Sequence, residues 1–292
     1  MVKEQYARLI KDVSGGPGGL ATLILGSERT VLHDVGMACF HRELEDNLTR
    51  ELAGRPLDYI VLSHSHYDHV GALPYILKRW PQAVVLGAAK AREVFARPGA
   101  LKMIASMGQS AAEAYGRDPS EITACGLRVD RVLESGDVLA LGDEELLCFA
   151  TPGHTDCSMS YLLAPAGILF ASESTGVLES SGRMHTSVLK SFEESFESAL
   201  FCRLLAHKDI ITPHFGFVAD ELKDRYFDMY IDIATKERDF YRRLIAEGKS
   251  ADEIFAAHKK LYWSKERALH QPFRAYETNT RITIAMMMRE AD

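Results

Sequence analysis

Asp58-Tyr59-Ile60-Val61-Leu62-Ser63-His64-Ser65-His66-Tyr67-Asp68-His69 is the stretch on which the fold turns. An apolar run of strand length, Tyr59 to Leu62, leads directly into three imidazoles and a carboxylate, and a helical pattern starts near Gly71. Histidines set this closely would repel one another once protonated, whereas a divalent cation takes their neutral nitrogen lone pairs. In an extended segment His64 and His66 fall on the same side, while Asp68 and His69 lie where the chain bends into the helix. One pair can serve one ion. The next can serve a second, as in hydrolytic sites whose two metals lie about 3.5–4 Å apart.

Working outward, two further histidines occupy matching contexts. His154 follows the apolar run Leu146 to Ala150 in Thr151-Pro152-Gly153-His154-Thr155, and His214 follows Ile210-Ile211 in Thr212-Pro213-His214-Phe215-Gly216. Each is a strand and a turn that presents one imidazole. Between them Ile168-Leu169-Phe170-Ala171-Ser172-Glu173 ends another strand with an acid, whose two oxygens can bridge two cations. Tyr67 reads as a packing or supporting residue. His185, in Gly182-Arg183-Met184-His185-Thr186, falls between metal-bearing loops and has two readings, a residue that faces the substrate and, the preferred one, an ordinary loop histidine.

Short apolar runs at Leu20 to Leu25, Ala83 to Leu86, Tyr161 to Leu163 and Ile168 to Phe170 are apolar almost throughout, as strands buried on both faces are. Helical patterns alternate with them at Met37 to Ala53, Gly71 to Arg79, Ala88 to Ala96, Leu101 to Gly116 and Phe192 to Leu205, giving a layered α/β architecture. From Asp220 strand signals vanish. Tyr226, Tyr230, Ile233, Phe240 and Leu244 fall at helical spacing, a stripe that predicts burial against the main domain. The expected division is a domain over residues 1–218 and a helical extension over 219–292 that caps the active site. The stretch Ser14-Gly15-Gly16-Pro17-Gly18-Gly19 lacks the ending of a phosphate loop and reads as a flexible loop.

Composition excludes several classes. Of 292 residues 47% are hydrophobic and 26% charged, the balance of a folded globular chain. The formal net charge of -7 lies entirely before Asp220, since the remainder holds equal numbers of acids and bases, and no basic run offers a nucleic-acid surface. No apolar run is long enough for a bilayer and no secretory signal opens the sequence, so no membrane is expected and a cytoplasmic location is. Five cysteines without a CxxC pair read as reduced, buried thiols.

The segment from His64 to His69 matches in full the His-x-His-x-Asp-His signature of the metallo-β-lactamase superfamily, and Asp34-Val35-Gly36 resembles that family's Asp-x-Gly turn. The resemblance covers roughly residues 18–218. It implies a four-layer αββα sandwich with metals at the edge between its sheets. Carried over position by position, it implies that His64, His66 and His154 hold a first metal, that Asp68, His69 and His214 hold a second, and that Glu173 lies between them. The family usually has aspartate where this chain has Glu173; the longer side chain is expected to bridge still. The phrase His66-Tyr67-Asp68-His69-Val70-Gly71-Ala72-Leu73-Pro74-Tyr75, with the helical extension, is similar to the branch holding glyoxalase II-type thioesterases, lactonases and the pseudomonad quinolone-signal response protein.

The expected function is a metal-dependent hydrolase of a small ester, thioester or lactone, acting through a bridging hydroxide that Asp68 orients and whose proton Asp68 carries. Zinc is the first expectation for the two divalent ions; iron or manganese also suit the ligands. Three rivals stand beside it. They are an iron-dependent, oxygen-using enzyme of the same fold, a small-molecule phosphodiesterase, and a non-catalytic signalling or interaction protein with a residual metal site. The expected partner is a small-molecule substrate, with the aromatic extension as a candidate homodimer surface.

Overall fold

The computed structural model describes residues 2–291; Met1 and Asp292, the outer ends of the two expected spans, lie outside the described residues. Two six-stranded sheets form its middle. The first runs from edge to edge through β1 (Ile10–Asp12), β2 (Thr22–Leu25), β3 (Thr30–His33), β4 (Tyr59–Val61), β5 (Val84–Ala88) and β6 (Arg131–Leu133). Its first three strands pair antiparallel, and β3 to β6 pair parallel. The second is built from β7 (Val138–Ala140), β8 (Glu145–Ala150), β9 (Met159–Ala164), β10 (Ile168–Phe170), β13 (Asp209–Thr212) and β14 (Gly216–Phe217), neighbours in that order. Only its β10–β13 pair is parallel. A small antiparallel ribbon joins β11 (Val177–Leu178) to β12 (Met184–His185).

The helices before Asp220 are α1 (His41–Leu52), α2 (Tyr67–Val70), α3 (Leu73–Arg79), α4 (Ala89–Phe95), α5 (Pro98–Ala114) and α6 (Phe192–Leu204). After it come α7 (Asp220–Lys223), α8 (Tyr226–Ala246), α9 (Ala251–Tyr262), α10 (Lys265–His270) and α11 (Phe273–Ala291). Among the described residues no helix is long and apolar enough to cross a membrane.

Alternation along the strands explains why they are apolar throughout. In the first sheet Leu23, Leu32, Ile60 and Val85 face helices, meeting Leu44 and Leu48 of α1, Ile76 of α3 and Phe95 of α4. Their neighbours Ile24, Val31, Val61 and Leu86 turn the other way, onto Leu146, Tyr161, Leu163 and Phe170 of the second sheet. On that sheet's far face Leu162, Leu169 and Ile210 pack against Phe192 of α6, Tyr226 and Tyr230 of α8 and Ile284 of α11. The order is therefore helix, sheet, sheet, helix, as the resemblance implies. Each buried aliphatic side chain in these layers contributes about 1.5–3 kcal/mol.

The aromatic stripe is buried in that outer layer: Tyr226 and Tyr230 are fully enclosed, and α8 shares one apolar cluster with Leu162 and Leu169. The second sheet also places the site. Since β9 pairs antiparallel with both β8 and β10, and β10 runs parallel to β13, the three strands β8, β10 and β13 end at the same edge. The end of β4 is tied to that edge, because Tyr161 Oη donates to the Leu62 carbonyl at 2.7 Å and Met159 N–H to the Ser63 carbonyl at 2.8 Å.

Two boundaries differ from the sequence reading. The helix expected from Gly71 is α3, which begins at Leu73, and a separate short helix precedes it, so Asp68 and His69 sit within α2 rather than on a bend. Helix α5 starts at Pro98 instead of Leu101, because proline's fixed φ and missing N–H suit a first helical turn. Of the cysteines, Cys148, Cys157 and Cys202 are buried as expected, whereas Cys125 is exposed.

Candidate metal centre

All seven side chains singled out in the sequence converge at this edge. His64 and His66 follow β4, Asp68 and His69 ride on α2, His154 follows β8, Glu173 follows β10 and His214 follows β13. They form two groups, each with donor atoms within 4.8 Å of one another: His64, His66 and His154 in one, Asp68, His69, Glu173 and His214 in the other.

In the first group His154 Nε2 lies 3.2 Å from His64 Nε2 and 2.9 Å from His66 Nδ1. In the second, Glu173 Oε1 is 2.9 Å from His69 Nε2 and 3.1 Å from His214 Nε2. The same carboxylate reaches toward the first group, with Oε2 3.6 Å from His154 Nε2 and Oε1 3.7 Å from His64 Nε2. Glutamate at this position therefore spans both groups despite its extra methylene.

The far side of the imidazoles fixes which nitrogen faces inward. His69 Nδ1 donates to Asp34 Oδ2 at 2.8 Å, His214 Nδ1 to the Gly18 carbonyl at 2.9 Å and His154 Nδ1 to the Ser187 carbonyl. Each thus turns Nε2 toward the cluster. Asp34 is itself pinned, accepting from Ser63 N–H at 2.7 Å and Ser63 Oγ at 2.6 Å. The glycine-rich segment differs from its expected flexibility, for Gly18 and Gly19 are buried against the site. A Cβ on Gly19 would stand 2.6 Å from the Asp68 carbonyl, so only glycine lets the loop approach this closely. From the other side Tyr226 Oη donates to the Gly176 carbonyl at 2.7 Å, holding the turn that follows Glu173.

Burial and mutual repulsion set the charges. Burial first, then the neighbouring imidazoles of His69, His66 and His154, hold His64 well below the usual histidine pKa. Burial and His154 bring His66 down to about 3. Burial would lower His69 as well, but the carboxylates of Asp34 and Asp68, with hydrogen bonds to Asp34 and Glu173, outweigh it and hold His69 well above the usual value. Glu173 runs opposite: burial raises it, and His154, His214 and His69 more than offset that, leaving it well below the ordinary range. The uncharged imidazoles of His64 and His66, with the ionised carboxylate of Glu173 beside them, are the kind of donors that a divalent cation fits.

His66, Asp68, Glu173 and His214 form the floor of a cleft of about 160 Å³. Its walls are largely apolar: Met103 and Met107 come from α5, Leu189 from the segment before α6, and Ala275 and Ile282 from α11. Tyr67 both lines this cleft and packs with Met37, Phe40 and Met107. His185 lines the cleft as well, which corrects the preferred loop reading in favour of its alternative. His66, Asp68 and His214 are the more open ligands, the last two with side chains 17% and 12% exposed.

The sequence profile described as the metallo-beta-lactamase superfamily matches residues 14–214, more than half of the chain. The chain belongs to the metallo-β-lactamase superfamily. Among curated relatives, this superfamily member is 29% identical over 106 residues to a hydroxyacylglutathione hydrolase of Buchnera aphidicola, an alignment covering 36% of the chain and 29% of that protein. It is 28% identical over 178 residues to the type A flavoprotein fprA of Rhodobacter capsulatus, covering 61% of the chain and 36% of the flavoprotein. The alignments span less than half the length of the curated relatives it matches first. Among solved structures, the metallo-β-lactamase family protein TTHA1429 of Thermus thermophilus shares the fold with a TM-score of 0.62 at 18% identity, over 93% of this chain and 88% of that one.

Sequence reasoning did not find Arg267 and His270, which line the cleft from α10. A lone arginine amid helical charge has no local signature. Only the fold brings it against residues almost a hundred positions earlier.

Proposed function

We propose that this superfamily member is a metal-dependent hydrolase of a small ester, thioester or lactone. One observation carries the reading: seven metal-type donors converge, and four of them, His66, Asp68, Glu173 and His214, floor a cleft whose walls are mostly apolar, suited to an organic acyl compound. The relative named as a hydroxyacylglutathione hydrolase supports the same chemistry.

His64, His66 and His154 would hold one divalent cation and Asp68, His69 and His214 another, with Glu173 between. When bound, such a pair supplies Lewis acidity, drawing charge from a carbonyl oxygen and making water a stronger acid. The chain's own part falls to Asp68, a half-buried ligand on the cleft floor. Burial raises its carboxyl above the usual range, against the pull of His69 and His214. Asp68 orients the attacking water and accepts its proton as the new C–O bond forms. It then gives that proton to the leaving oxygen or sulfur as the old bond breaks, yielding a carboxylic acid and an alcohol or thiol. The apolar walls exclude competing water.

The test is a screen of thioesters, lactones and phosphodiesters with the metal-loaded protein. Turnover of a thioester or lactone, lost in Asp68→Asn, is the expected result; turnover of phosphodiesters alone would contradict it. The flavoprotein relative, aligned over 61% of the chain, favours a second reading, oxygen chemistry at iron. Oxygen uptake by iron-loaded protein without any acyl hydrolysis would select that reading instead.

A further inference from the structure

Arg267 is a buried cation with no counter-ion. It lies within the first turn of α10, where its N–H donates to the capping Ser264 Oγ at 3.0 Å, and the residue is only 8% exposed. Its Nε donates to Gln271 Oε1 at 2.8 Å and its guanidinium carbon stands 5.0 Å from the centre of the Tyr276 ring. That aromatic shelf is fixed in turn: His258 Nδ1 bonds Tyr276 Oη at 2.7 Å, and His258 Nε2 bonds Glu237 Oε1 at 2.9 Å. Among the described residues no acid forms a salt bridge with Arg267. Of the two whose charge reaches it, Glu237 bonds His258, and Glu179 accepts from Ser181 Oγ at 3.4 Å.

The guanidinium borders the same cleft as the metal-type donors. Three residues on, His270 borders it too, and its buried Nδ1 has no hydrogen-bond partner. Positions 267, 270 and 271 fall on one side of the helix, so these polar groups are presented together. A charge held out of water without a partner is costly, and an anion entering the cleft would offset that cost.

We propose that Arg267, with His270 beside it, binds a carboxylate at the non-reacting end of the substrate, making the substrate an acyl compound that ends in a free carboxylate. The inference rests on the hydrolytic reading above. A monoanion is favoured over a phosphate dianion because a single guanidinium faces it, with Glu179 and Glu237 behind and Asp68 and Glu173 on the floor. Met103, Met107, Leu189 and Ile282 would pack against the hydrocarbon between the two ends. Hydrolysis of a dicarboxylic monothioester then gives the dicarboxylate and a free thiol, consuming one water.

The test has a kinetic and a binding arm, both on the metal-loaded full chain. The kinetic arm compares S-phenyl monothioesters of a series of dicarboxylic acids, succinic to suberic, with the same compounds capped as methyl esters. The wild type is expected to prefer the free carboxylate roughly ten- to hundredfold in kcat/KM, through KM, and Arg267→Gln to bring that ratio toward one, with Arg267→Lys between. The binding arm uses calorimetry with adipate and monomethyl adipate, which differ only in the second carboxylate. Adipate should bind more tightly to the wild type, and not to Arg267→Gln.

If no thioester is turned over while adipate binding still depends on Arg267, the hydrolytic reading fails and the carboxylate site stands. Equal handling of capped and uncapped compounds by the wild type overturns the carboxylate site, even if the variants do not fold. So does tighter binding of a phosphate-ended analogue than of adipate.

Discussion

Two of this molecule's buried polar clusters are built on opposite principles. Around Glu237 every group finds a complement: His258 Nε2 and Tyr241 Oη donate to Oε1, Thr186 Oγ1 donates to Oε2, and His258 Nδ1 pairs with Tyr276 Oη. At the strand ends, by contrast, His154 Nε2 meets ring nitrogens of His64 and His66 at 2.9–3.2 Å, while Nδ1 of His64 and of His154 is already engaged, with Ser63 Oγ and the Ser187 carbonyl. The first cluster is complete in itself. The second is completed only by a positive charge from outside, so convergence of acceptors, more than burial or perturbed titration, separates a site from a structural network.

Substitutions sharpen the contrast, since the two clusters should fail in different currencies. The largest effect belongs to Asp68→Asn, expected to lower kcat/KM roughly 10²- to 10⁴-fold with little change in thermal stability. Steady-state kinetics on whichever thioester or lactone the screen yields, with a melting curve alongside, would check this. Next comes Glu237→Ala, expected to cost about 3 kcal/mol in urea unfolding because it strands His258 and Thr186, with metal content unchanged. A variant that loses metal but keeps its stability would erase the distinction between the clusters.

Asp34→Asn acts one layer behind the ligands, where the carboxylate holds His69 Nδ1 and Ser63. Metal affinity is expected to fall about 10- to 100-fold, with the loss confined to the group containing His69. Chelator competition reads this, and equal weakening at both groups would show that Asp34 does not act through His69.

The smallest effect concerns acid. Burial would raise the Glu237 carboxyl, but His258 and Thr186 hold it below the ordinary 4.5. The native state therefore favours the charged form, and its stabilising contribution is present above the unfolded-state value and is lost as pH falls through the lower native one. The stability gap between wild type and Glu237→Gln should narrow on acidification below about 4.5. A gap that stays constant into acid would contradict the ionised, hydrogen-bonded glutamate.

Much of the site was legible in the sequence because its chemistry is locally concentrated. His64 to His69 lie in one short segment after a strand, and His154, Glu173 and His214 each end an apolar run, so strand-end context marked them and the family resemblance grouped them as ligands. The layers were legible for a similar reason, since strands buried on both faces announce themselves by unbroken apolarity. Short edge strands such as β6 and β7 were not, because exposed Arg131, Val138 and Ala140 interrupt the pattern and pairing rather than composition forms them. Arg267 was invisible for a different reason. Its meaning lies in a partner it lacks, which only the packing of α10 over the cleft reveals.

The central claim is that the converging donors hold two cations. Elemental analysis of purified wild type beside His154→Ala and His214→Ala tests it most directly. The account predicts two divalent ions per chain in the wild type and about one in each variant. A wild type that hydrolyses its substrate at full rate with no bound metal, or variants that keep both ions, would contradict it.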